Sequence, residues 1–449
     1  MTVEFRVPSH TAEDGTAGNS TGFGEFVRHR AASGELVVQP RMGFSDPARM
    51  RAGLLATRRA AATTVGTLTV DSYTRVGDLA AARDALRAGI ALNGYPLATH
   101  PRETTAQVLA GIAADDFPVQ VRHGSADPGH IFTALTAAGL SATEGGPVSY
   151  CLPYGRTPLE KSVDSWARCC EDFAEPRRPD VRPHLETFGG CMLGQLCPPG
   201  QLVALSVLEA LFFHRHGVRS ISVSYAQQTH PGQDREAVRA LRVLCARLLP
   251  DADVHIVVYA YMGLFPQTAD GARALLGEAT RLARATGAER LIVKTEAEAD
   301  RIPTVAENVA ALEHAARTAR RHRAEAPAGA DDDSQVHAEA YALIDAVLNA
   351  APDIGRALVQ AFKRGLLDIP YCLHPDNAGR SRSYLDRDGR LRWADVGSLP
   401  LAPLVGAGRS RPVTSGELMS ALSYVRRTFD GDPYGELRGR PRGKAVEDR

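Results

Sequence analysis

The chain has 449 residues, 44% of them hydrophobic, and its 52 Lys and Arg balance its 52 Asp and Glu to a formal net charge of zero. A chain this long and apolar can bury a large core, and without a basic surface field it is not expected to bind nucleic acid or an anionic membrane. Seven cysteines, odd in number, with no CxxC pair and no zinc spacing against histidine, point to reduced thiols, no metal site and a cytoplasmic location.

Residues 1–22 are polar and rich in Gly, Ser and Thr, and they read as a disordered lead without the charged-then-apolar pattern of a signal peptide. Beyond them one unit repeats, a short β-branched run followed by a long helix rich in Ala, Leu and Arg. Strands are expected at 35–40, 65–70, 118–121, 140–143, 181–185, 220–223, 254–260 and 290–293. Helices are expected over 46–61, 77–91, 158–174, 199–216, 234–249 and 268–286, several opened by Asp46-Pro47, Thr157-Pro158 or Pro198-Pro199. The apolar run 201–213 is interrupted by Glu209 and is too short to span a bilayer.

Eight strands alternating with helices predict an α/β fold, a closed (β/α)8 TIM-type barrel over 23–323, with a C-terminal α+β extension. An open doubly wound sheet is the alternative, weakened because no GxGxxG or Walker loop follows any strand. Residues 324–335, AEAPAGADDDSQ, read as a linker. Residues 336–437 read as a helical and short-strand region that begins with a helix over 336–364, and 438–449 as a loose tail.

In a parallel barrel the carboxyl ends of the strands share one mouth. The residues expected there are Arg41, then Thr69 with Asp71 and Arg75, then Arg122-His123, Glu144, Glu186, Ser224-Tyr225, Met262, and Lys294 with Glu298. Two phenols, Tyr150 and Tyr154, follow Glu144, with Pro153 stiffening the loop between them. Three arginines from three strands would repel one another unless an anion held them, and a guanidinium fork suits a carboxylate. A small dicarboxylate is the economical anion. Glu144 and Glu186 supply negative charge for an ammonium and, among guanidiniums, are expected to stay ionised. Any one Arg–Glu pair of this kind is an ordinary salt bridge, but buried charges kept without a ligand are costly, which favours a site. Lys294 by position would also suit the Schiff-base lysine of an aldolase-like barrel.

Several spaced motifs then match a known family. They are Gln39-Pro40-Arg41 with Gly43; Thr69 to Asp71 with Tyr73-Thr74-Arg75; Leu92-Asn93-Gly94; Arg122-His123-Gly124; Glu144-Gly145-Gly146 with Ser149-Tyr150 and Pro153-Tyr154; Glu160-Lys161-Ser162; Phe265-Pro266-Gln267; Val293-Lys294-Thr295; Asp368-Ile369-Pro370; and Asn377-Ala378-Gly379. Over about 34–441 the chain resembles the large, epsilon subunit of glutamate mutase (methylaspartate mutase), an adenosylcobalamin-dependent isomerase.

The resemblance implies that Arg41, Arg75 and Arg122 grip the substrate carboxylates, with His123, Tyr150 and Tyr154 completing the pocket. Glu144 takes the substrate amino group, with Glu186 nearby, and Glu144, Arg122 and His123 are the catalytic candidates. Gly43, Asn93, Pro153, Phe265, Lys294, Glu298 and Ile302 stand where the family contacts adenosylcobalamin. The implied reaction interconverts glutamate and 3-methylaspartate by radical fragmentation to a glycyl radical and acrylate, followed by recombination. No DxHxxG motif supplies a cobalt-ligating histidine, so a separate small cobalamin-binding subunit is implied, paired two to two with a homodimer of this chain.

Pro147, Leu264, the segment Gln227-Gln228-Thr229-His230 and Arg380 depart from the family pattern and bear on cofactor fit and subunit docking. Two other readings remain open here: a cobalamin-independent lyase or aldolase using Lys294, and a non-catalytic scaffold for a cobalamin protein.

Overall fold

A computed structural model describes residues 22–153, 155–175, 182–188, 196–322, 334–405 and 411–431. Eight short strands, β1 Val37–Gln39, β2 Gly66–Thr69, β3 Val119–Arg122, β4 Ala142–Gly145, β5 His184–Thr187, β6 Ser220–Ala226, β7 Asp253–Tyr259 and β8 Arg290–Ile292, form one sheet. All its pairings are parallel, in the order β1-β8-β7-β6-β5-β4-β3-β2. The two ends of that order meet where Val38 bridges Thr64, with the Val38 N–H donating to the Thr63 carbonyl at 2.9 Å. The sheet is therefore a barrel, and the expected (β/α)8 class holds.

Each strand lies within three residues of its expected position. They were visible because strands covered on both faces read as short, nearly continuous runs of Val, Ile and Leu. The helices begin where their caps are. Asp46 accepts the Arg49 N–H ahead of Pro47–Arg59, and Thr268 accepts the Gly271 N–H ahead of Ala269–Thr286, which stops at left-handed Gly287.

Two features differ from expectation. A helix at Phe23–Ala32 closes the amino-terminal end of the barrel. Phe23 stacks on His184, and the Arg290 guanidinium sits over the Phe23 ring at 5.0 Å. A side chain at Gly24 would fall 2.4 Å from Ser220 Oγ, so only glycine lets the helix approach this closely. The second difference is that the helix expected over 336–364 is two, Gln335–Leu348 and Ile354–Arg364, separated at Pro352.

Gln335, expected in the linker, already belongs to the first of these helices. The rest of the linker bar Ser334, the lead except Gly22, and the tail lie outside the described residues. A two-stranded antiparallel ribbon, β9 Arg382–Leu385 and β10 Leu391–Asp395, follows. The apolar helix Pro199–Arg215 is buried along nearly its whole length because the extension's two helices pack on its outer side. Among the described residues no helix is long and apolar enough to cross a membrane.

Candidate active site

Glu144 and Glu186 are direct cross-strand partners on β4 and β5, and both are buried. Arg122, at the end of β3, places Nη2 2.7 Å from Glu144 Oε2 and Nη1 3.9 Å from Glu186 Oε1. Tyr259, at the end of β7, donates its hydroxyl to Glu186 and reaches Glu144 Oε2 at 3.3 Å. The Tyr150 hydroxyl donates to Glu144 Oε1. The Arg122 guanidinium lies 5.1 Å from the Tyr259 ring centre and 5.8 Å from that of Phe188, so aromatic faces line its flanks.

Beneath this layer the barrel is filled with polar groups. Arg290 donates to Glu186 and Gln39, and to Ser222 Oγ at 3.0 Å. Gln120 Nε2 donates to Glu186 at 3.2 Å, and Gln39 Nε2 donates to Thr67 and Gln120 at 2.9 and 2.8 Å. His184 and His255 stack at 5.1 Å, and burial and Arg290 push His184 down to about 3, so it is a neutral ring. Two buried guanidiniums thus face two buried carboxylates.

The two carboxylates are not equivalent. Burial pulls Glu186 upward, but Arg290 and Arg122 outweigh it and leave its pKa lowered. Burial, resisted by Arg122 and helped by the Glu186 charge, pushes Glu144 up to about 7. Glu186 therefore stays ionised as expected, whereas burial outweighs Arg122 at Glu144 and brings its titration near neutrality. Arg122 stays protonated: Glu144, Tyr259 and Glu186 more than offset the cost of its burial. Its Nη1 has no hydrogen-bond acceptor among the described residues.

The loop after β4 is shaped by glycines whose role the motif alone did not explain. Gly145 sits at φ +132°, and a side chain there would meet Trp166 and Tyr150 at 2.5 Å. One at Gly146 would fall 2.1 Å from Glu209 Oε1. Glu209, buried on the helix Pro199–Arg215, accepts the Val148 and Ser149 N–H groups at 3.0 and 2.8 Å. It thereby fixes the turn that carries Tyr150. In the sequence Glu209 looked like an interruption of an apolar run.

His123 is stacked on Trp166 at 5.7 Å, and its Nδ1 accepts the Ser125 N–H at 3.1 Å. Burial, then His130 and Arg122, push its pKa down to about 3, so it offers a hydrogen bond and no charge. Arg75 stands on the short helix Ser72–Val76, capped by Asp71, and lines a cavity of about 240 Å³ with Gly124, His130 and Tyr150. Arg41 lowers the Glu144 pKa from nearby but pairs with Glu298 at 3.1 Å. The three arginines were expected to be held together by an external anion; here Arg41 and Arg122 are paired with acids of the chain itself. Tyr154 lies outside the described residues.

Lys294 Nζ is 2.7 Å from Glu298 Oε1 and 5.2 Å from the Phe265 ring centre. A lysine held this way is a salt-bridge partner of Glu298. Asn93 accepts the Ser72 N–H at 2.9 Å, Gly43 packs against the Thr69 carbonyl, and Ile302 is exposed. The departing segment 227–230 docks the ribbon: Thr229 Oγ1 donates to the Gly389 carbonyl at 2.7 Å, and His230 caps the helix Pro231–Leu248. Among the described residues no group of three His, Cys, Asp or Glu could hold a metal ion.

Residues 19–413 match the model of the family described as Methylaspartate mutase E chain (MutE). The chain belongs to the methylaspartate mutase E chain family. Among its relatives is the glutamate mutase epsilon subunit of Halobacterium salinarum, 33% identical over 347 residues, covering 74% of this chain and 71% of that one. The glutamate mutase epsilon subunit of Haloarcula marismortui is 31% identical over 398 residues, covering 84% and 79% respectively. That of Yersinia enterocolitica is 30% identical over 349 residues, covering 74% and 72%. The Methylaspartate mutase E chain match spans the whole barrel and much of the extension, so the family takes in both parts.

Proposed function

We propose that this chain is the catalytic large subunit of an adenosylcobalamin-dependent mutase that interconverts L-glutamate and (2S,3S)-3-methylaspartate. The observation that carries the reading is Arg122 Nη1, a buried donor without an acceptor among the described residues, beside two carboxylates, one of which titrates near neutrality. A substrate with two carboxylates and an ammonium satisfies this arrangement by exchange. Arg122 trades Glu144 for a substrate carboxylate, and Glu144 trades Arg122 for the ammonium. The buried charges stay balanced throughout.

Glu186, kept anionic by Arg290, stands as the second acid beside the ammonium. Arg41 and Arg75 receive the far carboxylate, and Tyr150 and neutral His123 complete the wall, to which the family resemblance adds Tyr154. Phe188, Tyr259 and Trp166 keep water out.

Gly43, Asn93, Pro153, Phe265, Lys294, Glu298 and Ile302 stand on loops at the mouth and would hold adenosylcobalamin. Exposed apolar side chains, Ile90, Leu264 and Ile302 on the same loops and Tyr73 and Val76 on the helix Ser72–Val76, suit a large corrin and a covering subunit. When bound, the cofactor would supply a carbon-centred radical able to take a hydrogen atom from the substrate. What falls to this chain is holding a glycyl radical and acrylate in register while the carbon skeleton rearranges. The cobalt ligand comes from a small cobalamin-binding subunit, two small subunits joining two large ones in the cytoplasm.

The test is to mix the chain with a cobalamin-binding small subunit, adenosylcobalamin and glutamate without oxygen. Formation of 3-methylaspartate is expected, and its absence after assembly is confirmed overturns the reading.

A further inference from the structure

The helix Leu159–Ala174 begins without a cap from its own chain neighbourhood, since the residue before it is Pro158, whose side chain can accept nothing. The cap arrives from 217 positions away in the sequence: the Leu159 N–H donates to Asp376 Oδ2 at 2.7 Å. Beside it, His374 Nδ1 accepts the Asp376 N–H at 3.1 Å, which leaves Nε2 to donate to the Thr157 carbonyl at 3.0 Å. Cys372 Sγ reaches the Leu152 carbonyl at 3.7 Å. The extension therefore holds the loop after β4 at three points.

The extension's own grip is rigid. Asp368 accepts the Gly379, Arg380 and Ser381 N–H groups, each at 2.6 Å. Asn377 bonds both the N–H and the carbonyl of Ile369, at 2.8 and 3.0 Å. Gln201, on the buried helix Pro199–Arg215, donates to the Asp368 carbonyl at 2.8 Å.

What the capped helix holds is the site. Ser162 Oγ, in its first turn, lies 3.0 Å from the Ala126 carbonyl and 2.8 Å from the Pro147 carbonyl, and Ser165 Oγ donates to Asp127 at 2.5 Å. The loop after β3 follows Arg122 and His123, and the loop after β4 carries Tyr150. Both hang on the start of this helix.

We propose that Asp376 and His374 are positioning residues for the substrate site, setting Tyr150 and the loop after Arg122 through the first turn of the helix Leu159–Ala174. The proposal rests on the functional reading above. It makes the C-terminal extension a working part of the barrel's active site.

The test compares Asp376→Ala with Asp376→Asn in the assembled holoenzyme. Asp376 is partly exposed and Asn keeps an acceptor oxygen, so both variants fold. Asp376→Ala raises KM for glutamate about fivefold with kcat changed less than twofold, and Asp376→Asn returns KM to within twofold of the parent. A cap that only stabilised the fold would lower Tm and leave KM alone, and that result overturns the proposal. Amide hydrogen exchange over 151–160 is measured on the full chain without cofactor or substrate. It rises about fivefold in Asp376→Ala and is restored in Asp376→Asn. Unchanged exchange overturns the proposal even if the parent turns over glutamate, whereas a parent that converts no glutamate while exchange responds overturns the functional reading alone.

Discussion

Glu144 and Glu186 stand side by side on adjacent parallel strands, and one phenol, Tyr259, donates to Glu186 and lies 3.3 Å from Glu144. Like charges at such close quarters are unfavourable, and here each has its own guanidinium: Arg290 for Glu186 from within the barrel and Arg122 for Glu144 from the mouth. The inner pair is closed off by side chains. The outer pair lies at the mouth, where the proposed substrate would exchange with it.

That difference gives the site a pH dependence. Glu144 is raised to about 7, so in the free enzyme it is neutral below that pH and ionised above it. The ionised form accepts an ammonium, so kcat/KM for glutamate rises with pH through about 7 and then levels off. kcat stays flat to lower pH, because the bound ammonium keeps Glu144 ionised. Glu144→Gln removes the inflection. A profile flat between about pH 6 and 8 in the parent contradicts the assignment.

Arg122→Lys keeps a positive charge but loses the fork that faces two carboxylates over the Tyr259 ring. A buried, bidentate site does not tolerate that exchange. kcat/KM for glutamate is expected to fall at least about 100-fold, roughly 2.7 kcal/mol, with circular dichroism unchanged. A fall of less than about fivefold would show that the fork is not used.

Glu209 has no basic partner among the described residues, and burial pushes it up to about 7. A carboxylate whose folded pKa is raised binds its proton more tightly in the folded state. Its favourable contribution is present below the unfolded value and is lost as pH rises through about 7. Glu209→Gln keeps an acceptor for the Val148 and Ser149 N–H groups and has no charge to bury. Between about pH 5 and 8 the variant should therefore gain on the parent by roughly 2 kcal/mol, read from urea unfolding at each pH. A constant difference across that range contradicts the burial of a titrating carboxyl.

Gly146→Ala drives a methyl group into that same carboxylate. The single change should lower Tm by several degrees and weaken activity, because the turn bearing Tyr150 must move. Glu209→Ala opens the space, so the double variant should be less damaged than the sum of the two singles. Strict additivity would mean that the two side chains do not compete for one volume.

The eight strands and the residues at their ends could be read from the sequence because both signals are local, a β-branched run and the charge that follows it. The residues that support Arg122, Glu144 and Glu186 from elsewhere in the fold could not. Arg290 looked like the first residue of a strand, yet it reaches across the barrel to Glu186, 104 positions earlier. Tyr259 closed an apolar run, and Glu209 appeared as a blemish in one. The plug at Phe23–Ala32 has only a weak amphipathic pattern and takes its place by packing beneath the strands. The raised titration of Glu144 was hidden for the same reason. How deeply each carboxylate is buried, and which guanidinium it meets, depends on contacts that no single-sequence pattern carries.

The most direct test is the rate of 3-methylaspartate formation by the complex assembled with a cobalamin-binding small subunit and adenosylcobalamin, parent against Glu144→Gln. The account predicts product from the parent and a rate at least about 100-fold lower from the variant, with glutamate bound more weakly. Equal rates from the two would contradict it.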